Sequence, residues 1–364
     1  MIETPSLVDQ YCHGVLRTEL GLGTFEAHLG RGEGPPAPGT TFFDTQTGFA
    51  VRRWCPPLLG LEPHCPPARY LARRRELGVV EAGRRLLRGS GITTYLVDTG
   101  QRDDLTGPAE LASAARGEAH EIVRLELLAE QVADTSGTVE SFLANLAESV
   151  HAAASGAVAF TSVAGVRHGL ALDPQPPGPG EVRGAAARWL AGRQVGGALT
   201  DPVLLRHLLW IAVASGRPLQ LRWGCLDPTD PAVLAEFARA TAGLGTDVVL
   251  LHGYPYHRHA AHLAGVFPHV YADLGPALAR TGARAAGLLA EFLELAPFGK
   301  LLFSTGAQGL PELHVVGARL FRQALGRVLG EWVAEGAWSL SDAQRVADMI
   351  ASGTARRVYG LGTA

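Results

Sequence analysis

The sequence predicts an α/β protein built as a (β/α)8 TIM barrel, in which eight parallel strands alternate with helices. Three observations lead to this prediction. Short apolar, β-rich segments recur along the chain and are separated by stretches with helical periodicity. Several of these segments end in a polar residue, as strands do at the carboxyl face of a barrel. The length of 364 residues exceeds the roughly 250 residues of a typical barrel, which leaves room for an insertion.

The clearest βαβ unit lies between Val248 and Leu274. It begins with an apolar strand that ends at His252, continues through a turn and an amphipathic helix over Arg258–Phe267, and closes with a strand over Val270–Leu274. Because His252 stands where a strand gives way to its loop, it is predicted at the catalytic face of the barrel. A histidine that only completes the core is the competing interpretation.

The other strands follow the same pattern. A first strand over Ser6–Tyr11 precedes a helical insertion at about residues 17–88, and the βα order resumes after each loop, so residues 1–364 are predicted to form one domain. A doubly wound open sheet is the alternative architecture. The remaining strands are predicted at Ile92–Asp98, Glu121–Leu128, Gly156–Val163, Pro218–Arg222 and Lys300–Ser304.

Composition excludes several classes of protein. A net charge of −3 gives no electrostatic reason to expect nucleic acid or an anionic membrane as a partner. No signal peptide and no sufficiently long apolar window is visible, so we expect a soluble, cytoplasmic protein. The run Arg73–Arg75 is interpreted as a solvated helix face. No glycine-rich nucleotide motif and no G-x-S-x-G elbow is present.

The four cysteines show no C-x2-C spacing, which favours free thiols over disulfides or a zinc knot. Cys12 and Cys225 flank the predicted pocket loops and could meet there as ligands or as a nucleophile. Buried, inert thiols are the preferred interpretation for both.

Six segments of the chain form a recognisable set of motifs. They are LVDQYCHG at Leu7–Gly14, GTTFFD at Gly39–Asp44, RRWCPPLLGLEPH at Arg52–His64, VAGVRHGL at Val163–Leu170, LLHGYPYH at Leu250–His257 and the C-terminal ARRVYGL. Together they resemble the amidohydrolase-related family, and they are similar in particular to the branch whose barrel precedes a glutamine-synthetase-like domain in fungal fusion proteins. The resemblance covers essentially the whole chain and implies a barrel of the metal-dependent hydrolase type.

The chemistry implied by this resemblance is metal-assisted hydrolysis. Family members place His-x-His after strand 1, often a Lys or Glu on strand 4, histidines after strands 5 and 6, and an aspartate after strand 8. Such ligands hold a divalent ion with an open position, and the ion lowers the pKa of a bound water until hydroxide forms near neutral pH.

The sequence departs from that pattern at most ligand positions. Strand 1 carries Tyr11-x-His13, and the alignment places Thr161 on strand 4, Arg222 on strand 5 and Thr305 on strand 8. Only His13 and His252 remain as ligand-position residues, fewer than the three protein ligands of a catalytic zinc.

Two further features weigh against a metal. The sole lysine, Lys300, begins strand 8 at the opposite end of the barrel, which excludes a carboxylated lysine bridge. The cation of Arg222 would repel a divalent ion. We therefore expect the metal site to be largely lost and a divalent metal such as zinc to be disfavoured.

The remaining residues predict a pocket for a small anionic molecule, because an arginine presents a fork of donors to a carboxylate. The candidate catalytic residues are His252, Arg222 and His13. Arg222 could instead pair with Asp9 or Asp98 and simply fill the vacated site. The predicted substrate-binding residues are Tyr11, Glu126, Arg167, Arg222 and Tyr254.

Three functions stay open at this point. The chain could hydrolyse a C–N or C–O bond of a small carboxylate or amide. It could be a non-catalytic pseudoenzyme that binds such a molecule. It could also be the partner of a glutamine-synthetase-like protein, an interpretation that rests only on the fusion relatives. A homo-oligomer is compatible with each of them.

Overall fold

The computed structural model describes residues 2–3, 6–30, 36–101, 104–223 and 230–362, and these residues form a parallel β-barrel surrounded by helices. The strand order is sequential and every neighbouring pair is parallel. The strands are β1 (Leu7–Cys12), β2 (Ile92–Asp98), β3 (Glu118–Arg124), β4 (Ala159–Val163), β5 (Leu219–Trp223), β6 (Val248–Leu251), β7 (Val270–Asp273) and β8 (Leu301–Leu302).

The barrel is closed by backbone hydrogen bonds between β1 and the segment after β8. The Gln10 amide donates to the Phe303 carbonyl at 3.2 Å, and the amide of Gly306 donates to the carbonyl of Tyr11 at 3.0 Å. The predicted barrel is therefore confirmed, and the open-sheet alternative is wrong.

The helical insertion expected between the first two strands is also confirmed. It consists of α1 (Leu22–Gly30), α2 (Gln46–Leu58), α3 (Pro67–Leu77) and α4 (Val79–Ser90).

The helices that follow β2 cover the outside of the barrel, except for a short C-terminal helix at its base. They are α5 (Pro108–Ala115), α6 (Leu125–Thr135), α7 (Val139–Gly156), α8 (Ala164–Arg167), α9 (Pro179–Gly192), α10 (Pro202–Ala214), α11 (Ala235–Thr241), α12 (His257–Val266), α13 (Ala277–Thr281), α14 (Ala285–Phe292), α15 (Pro311–Ala334), α16 (Leu340–Asp348) and α17 (Thr354–Tyr359).

Two strand predictions extended too far. The third strand ends at Arg124, and α6 begins at Leu125, because the segment LELLAEQVADT is rich in strong helix formers. The eighth strand ends at Leu302, and beyond it the Thr305 backbone amide donates to the Asp9 side chain at 2.8 Å and not to a strand carbonyl.

One residue of the arginine run contradicts the solvated-face interpretation. Arg74 is 1% exposed, and its Nε donates to Glu312 Oε1 on α15 at 3.0 Å. Tyr70 donates to the same oxygen at 2.7 Å. These contacts fix the insertion to α15, whereas Arg75 is exposed as expected.

The C-terminal helix closes the amino-terminal end of the barrel. Ala355, Val358 and Tyr359 pack against the interior residues of the strands. The Tyr359 hydroxyl donates to Gln10 Oε1 at 2.5 Å and accepts from Gln220 Nε2 at 2.8 Å. None of the helices in the described ranges is long and apolar enough to cross a membrane.

Candidate functional site

The candidate site lies at the carboxyl ends of the strands, which we call the mouth. It is formed by Tyr11, His13, Asp98, Arg124, Arg222 and His252. Tyr11 lies on β1 and His13 directly follows it, and the register of β1 against β2 is interrupted between Asp9 and Cys12. Their rings stand at 79° with centroids 5.3 Å apart, and Tyr11 lies 5.3 Å from His252. The two histidines therefore flank the phenol.

Asp98, at the end of β2, is the hub of the hydrogen bonds at the mouth. Its Oδ2 accepts from the Tyr11 hydroxyl at 2.8 Å and from Arg124 Nη2 at 2.5 Å. Burial alone would raise the pKa of this carboxyl, but His13 and the Arg124 guanidinium hold the pKa below its usual range. Asp98 is thus an ionised carboxylate paired with Arg124.

The hydrogen bonds of His13 fix the positions of its protons. Nδ1 lies 2.9 Å from the Asp98 carbonyl oxygen, which can only accept, so Nδ1 carries the proton. Nε2 is then unprotonated and lies 3.4 Å from the Tyr11 hydroxyl. Burial, with Arg124 and Arg222, lowers the pKa of His13 to about 4. His13 is consequently a neutral imidazole at physiological pH.

Tyr11 is held as a neutral phenol. Burial raises the pKa of this hydroxyl far above its usual range, and the Asp98 carboxylate raises it further, while Arg222 and Arg124 oppose the shift. Tyr11 can therefore donate a hydrogen bond but cannot act as an anionic ligand near neutral pH.

His252 follows β6 in a strained backbone conformation, with a φ of 61°. Its backbone amide donates to Asp273 Oδ1 at 2.7 Å. A Cβ built on Gly275 would lie 2.2 Å from His252 Cδ2, and one on Gly306 would lie 2.9 Å from His252 Nε2. Both glycines leave room for the imidazole ring.

Asp273, the last residue of β7, lies next to His252 and accepts the hydrogen bond from its backbone amide. Its Oδ2 accepts from Gln10 Nε2 at 2.6 Å and from the Ser304 hydroxyl. Burial raises the pKa of this carboxyl to about 6, although its hydrogen bonds oppose the shift. The same rule that singled out His252, a polar residue at the end of an apolar strand, could have found both Asp273 and Arg124 in the sequence.

Arg222, the residue before the end of β5, is half-buried, and its charge lowers the pKa of both His13 and Tyr11. No hydrogen bond or ion pair joins its side chain to another residue in the described ranges. The alternative that it pairs with Asp9 or Asp98 is wrong, because Asp98 pairs with Arg124 and Asp9 accepts from Thr305.

The other predicted substrate-binding residues have partners elsewhere or lie further out. Glu126 is on α6, fully buried, and accepts from the Ser162 hydroxyl at 2.5 Å. Arg167, on α8, pairs with Glu130 at 2.5 Å. Tyr254 is 43% exposed and stacks on His257. Cys12 is a buried free thiol, and Cys225 lies outside the described residues.

The strand-8 ligand position also needs a correction. The Thr305 hydroxyl donates to Asp9 Oδ2 at 2.5 Å, and its methyl group approaches Gly317 of α15. Thr305 therefore faces the outside of the barrel. The residue that faces His252 is Gly306, which has no side chain to offer a metal.

The donors at the mouth do not match a catalytic zinc site. Within the described ranges, three His, Cys, Asp or Glu ligand atoms come within 4.8 Å of one another only at Asp9, Cys12 and His314, behind β1. Lys300 precedes β8 and lies over the Tyr271 ring, at the opposite end of the barrel. His13 and His252 are the two histidines at the mouth, and the cation of Arg222 is close enough to His13 to lower its pKa.

Solved structures resemble this chain over almost its full length. A protein of Lactobacillus casei assigned as a metal-dependent hydrolase superposes with a TM-score of 0.85 at 23% identity, covering 99% of this chain and 96% of that chain. The uronate isomerase of Thermotoga maritima gives a TM-score of 0.63 at 13% identity, covering 97% and 94%. At these identities, the likeness concerns the fold alone.

A curated relative matches part of the chain. Protein fluG of Emericella nidulans is 36% identical over 155 residues, which is 40% of this chain and 18% of the relative. This chain thus spans less than a fifth of the length of that relative.

The fold defines a TIM barrel, with histidines at its carboxyl face. The amidohydrolase family model matches residues 86–361, most of the chain. The chain belongs to the amidohydrolase family, and the resemblance drawn from its motifs is confirmed.

Proposed function

We propose that this amidohydrolase-family barrel binds a small carboxylate-bearing ester or amide at its mouth and hydrolyses it without the divalent metal of the family. Arg222 anchors the anion in this proposal. The observation that supports it is a half-buried guanidinium close enough to His13 to lower its pKa, with no carboxylate partner among the described residues.

The environment of Arg222 favours an anion from solution. The two carboxylates considered as partners for it are occupied, Asp98 by Arg124 and Tyr11, and Asp9 by Thr305. A partly desolvated guanidinium gains from a charge-assisted, bidentate contact, and a substrate carboxylate supplies the matching geometry.

His13 is the general base in this proposal. Its Nε2 lone pair faces the mouth, so it can take a proton from a water that attacks the substrate carbonyl. The guanidinium of Arg222 would stabilise the negative charge that develops on the carbonyl oxygen. The His13 proton then passes to the leaving oxygen or nitrogen, which completes hydrolysis.

The loss of the metal site is part of the same proposal. A phenol with a strongly raised pKa replaces one imidazole, and Gly306 offers no carboxylate opposite His252. A divalent ion would also sit close to a permanent cation.

The test is calorimetric titration of chelator-treated protein with a panel of small mono- and dicarboxylates. Arg222→Met should weaken binding by about tenfold to a hundredfold, since a hydrogen bond to a charged group contributes about 1.5–3 kcal/mol. Arg222→Lys should recover part of the affinity. Arg258→Met, which removes an exposed guanidinium paired with Glu294, is the control and should bind as the wild type does. Equal affinity in wild type and Arg222→Met would refute the anion site.

A non-catalytic binding barrel is the second candidate. The observation that favours it is the pKa of His13, since a base with a pKa of about 4 accepts protons poorly at pH 7. Ester, lactone and amide probes distinguish the two candidates. Turnover that survives chelation and is lost in His13→Gln supports the hydrolase, and tight binding without turnover supports the binding protein.

A further inference from the structure

A second cluster of ligand-type side chains lies on the outer side of β1, away from the mouth. Asp9 and Cys12 of β1 and His314 of α15 are each fully buried, and their ligand atoms lie within 4.8 Å of one another. Tyr11, between Asp9 and Cys12 in sequence, packs inside the barrel. The cluster is therefore separated from the mouth by the barrel wall.

His314 is not satisfied by its protein neighbours. Neither ring nitrogen makes a hydrogen bond with any residue that the structure describes, although Nδ1 lies 3.5 Å from Asp9 Oδ2. Tyr95 packs edge-on against the ring. A buried polar group without a hydrogen bond is unfavourable, because it has lost its contacts with water and gained none in return. We therefore expect a group that accepts lone pairs to lie between the His314 ring and the Asp9 carboxylate.

Asp9 is a fully buried carboxylate. It accepts hydrogen bonds from the amide and hydroxyl of Thr305, at 2.8 and 2.5 Å. No arginine or lysine pairs with it among the residues that the structure describes. A buried carboxylate without a positive partner is strongly unfavourable.

We propose that Asp9, Cys12 and His314 bind a zinc-class divalent ion that ties β1 to α15. Thiolate, imidazole and carboxylate are the ligand types that zinc takes in proteins. Binding releases the Cys12 thiol proton to solvent, after which thiolate and carboxylate balance the two positive charges and the imidazole stays neutral. The net charge of the buried cluster is then zero.

The ion would act as a structural clip and not as part of the mouth. The Thr305 hydroxyl, already bonded to Asp9, is an adjacent neutral oxygen for a fourth ligand. Because all three side chains are fully buried, the ion would be taken up as the chain folds.

The experiment measures metal content and a thiolate spectrum in the full chain. Protein refolded with Zn2+ and freed of loosely bound ions should retain about one equivalent per chain. Cys12→Ser and His314→Gln should each retain a tenth of that or less. His13→Gln and Cys225→Ser should retain the wild-type amount. Protein refolded with Co2+ should show a thiolate-to-metal charge-transfer band.

If Cys12→Ser or His314→Gln does not fold, the cobalt spectrum still tests the proposed site. A chain in which Cys55, Cys65 and Cys225 are replaced by alanine has Cys12 as its only thiol and should keep the cobalt band. Wild type that retains no metal, or full metal content in Cys12→Ser and His314→Gln, would overturn the clip. Metal lost only in His13→Gln would place the ion at the mouth, which would contradict the metal-free function as well as the clip.

Discussion

At the scale of single residues, two buried groups at the mouth respond to pH in opposite directions. The pKa of His13 is lowered from 6.5 to about 4, so its contribution to stability is present above pH 6.5 and is lost as the pH falls to 4. The pKa of Asp273 is raised from 3.8 to about 6, so its contribution is present below pH 3.8 and is lost as the pH rises to 6. Between pH 4 and 6 the two effects largely cancel.

Replacing His13 should leave Asp273 as the group at the mouth that makes stability depend on pH. We expect the stability of His13→Gln, relative to wild type, to increase by about 2 kcal/mol between pH 7 and pH 5, because the variant no longer pays for a neutral imidazole. Urea unfolding at both pH values measures this difference. The exposed His151→Gln is the control and should follow the wild type. Parallel pH profiles for His13→Gln and wild type would show that His13 titrates normally.

The position of Gly306 leads to a second prediction about residues. Combining Tyr11→His, Arg222→His and Gly306→Asp should raise zinc affinity by about tenfold or more, since it adds ligands opposite His252 and removes a cation. Aspartate tolerates the positive φ of this position better than most residues, and the tip of the His252 ring must turn away from the new Cβ, which would otherwise lie 2.9 Å from Nε2. Competition with a zinc-binding dye measures the change.

The control for this prediction replaces Gly306→Asp with Thr305→Asp. Its carboxylate would face α15, so it should not show the increase. If the Thr305→Asp combination bound zinc more tightly than the Gly306→Asp combination, our assignment of the strand-8 position would be incorrect.

At the scale of elements, the insertion depends on one buried ion pair. Arg74 of α3 meets Glu312 of α15 where both side chains are almost fully excluded from solvent. Removing one partner leaves an uncompensated buried charge, so Arg74→Met should lower the free energy of unfolding by about 3–5 kcal/mol. Chemical denaturation measures the loss.

Two further variants test whether the stability loss in Arg74→Met comes from the unpaired buried charge. Arg75→Met, next in sequence but exposed, should change stability by no more than about 0.5 kcal/mol. Arg74→Met combined with Glu312→Leu should recover part of the loss, because no charge is then left unpaired. A small effect of Arg74→Met would mean that the insertion is held by its apolar contacts.

At the scale of the whole molecule, the C-terminal helix joins the last residues of the chain to the first strand. Tyr359→Phe would remove the hydroxyl that bridges Gln10 and Gln220. It should cost about 0.5–1.5 kcal/mol, the net contribution of a hydrogen bond, because Gln220 Nε2 still donates to Gln10 Oε1 at 3.1 Å. Thermal and urea unfolding measure the change, with the exposed Tyr254→Phe as the control. A loss above about 3 kcal/mol would contradict the view that the direct bond between the two glutamines persists.

The sequence by itself determined the architecture of this protein and the location of its mouth. Strand and helix periodicities are local, so the order of eight strands and the position of His252 at a strand end could be read directly. The family resemblance predicted His13 and Arg222 at the carboxyl face. The family motifs were likewise contiguous stretches of sequence.

Only the tertiary structure decided which groups are partners. Arg124 neutralises Asp98, Glu126 belongs to a helix, and Gly306, not Thr305, faces His252. The cluster of Asp9, Cys12 and His314 joins residues some 300 positions apart. Periodicity reports which face of an element is buried, but not what it is buried against, because that depends on how distant elements pack and on the charges they bring together.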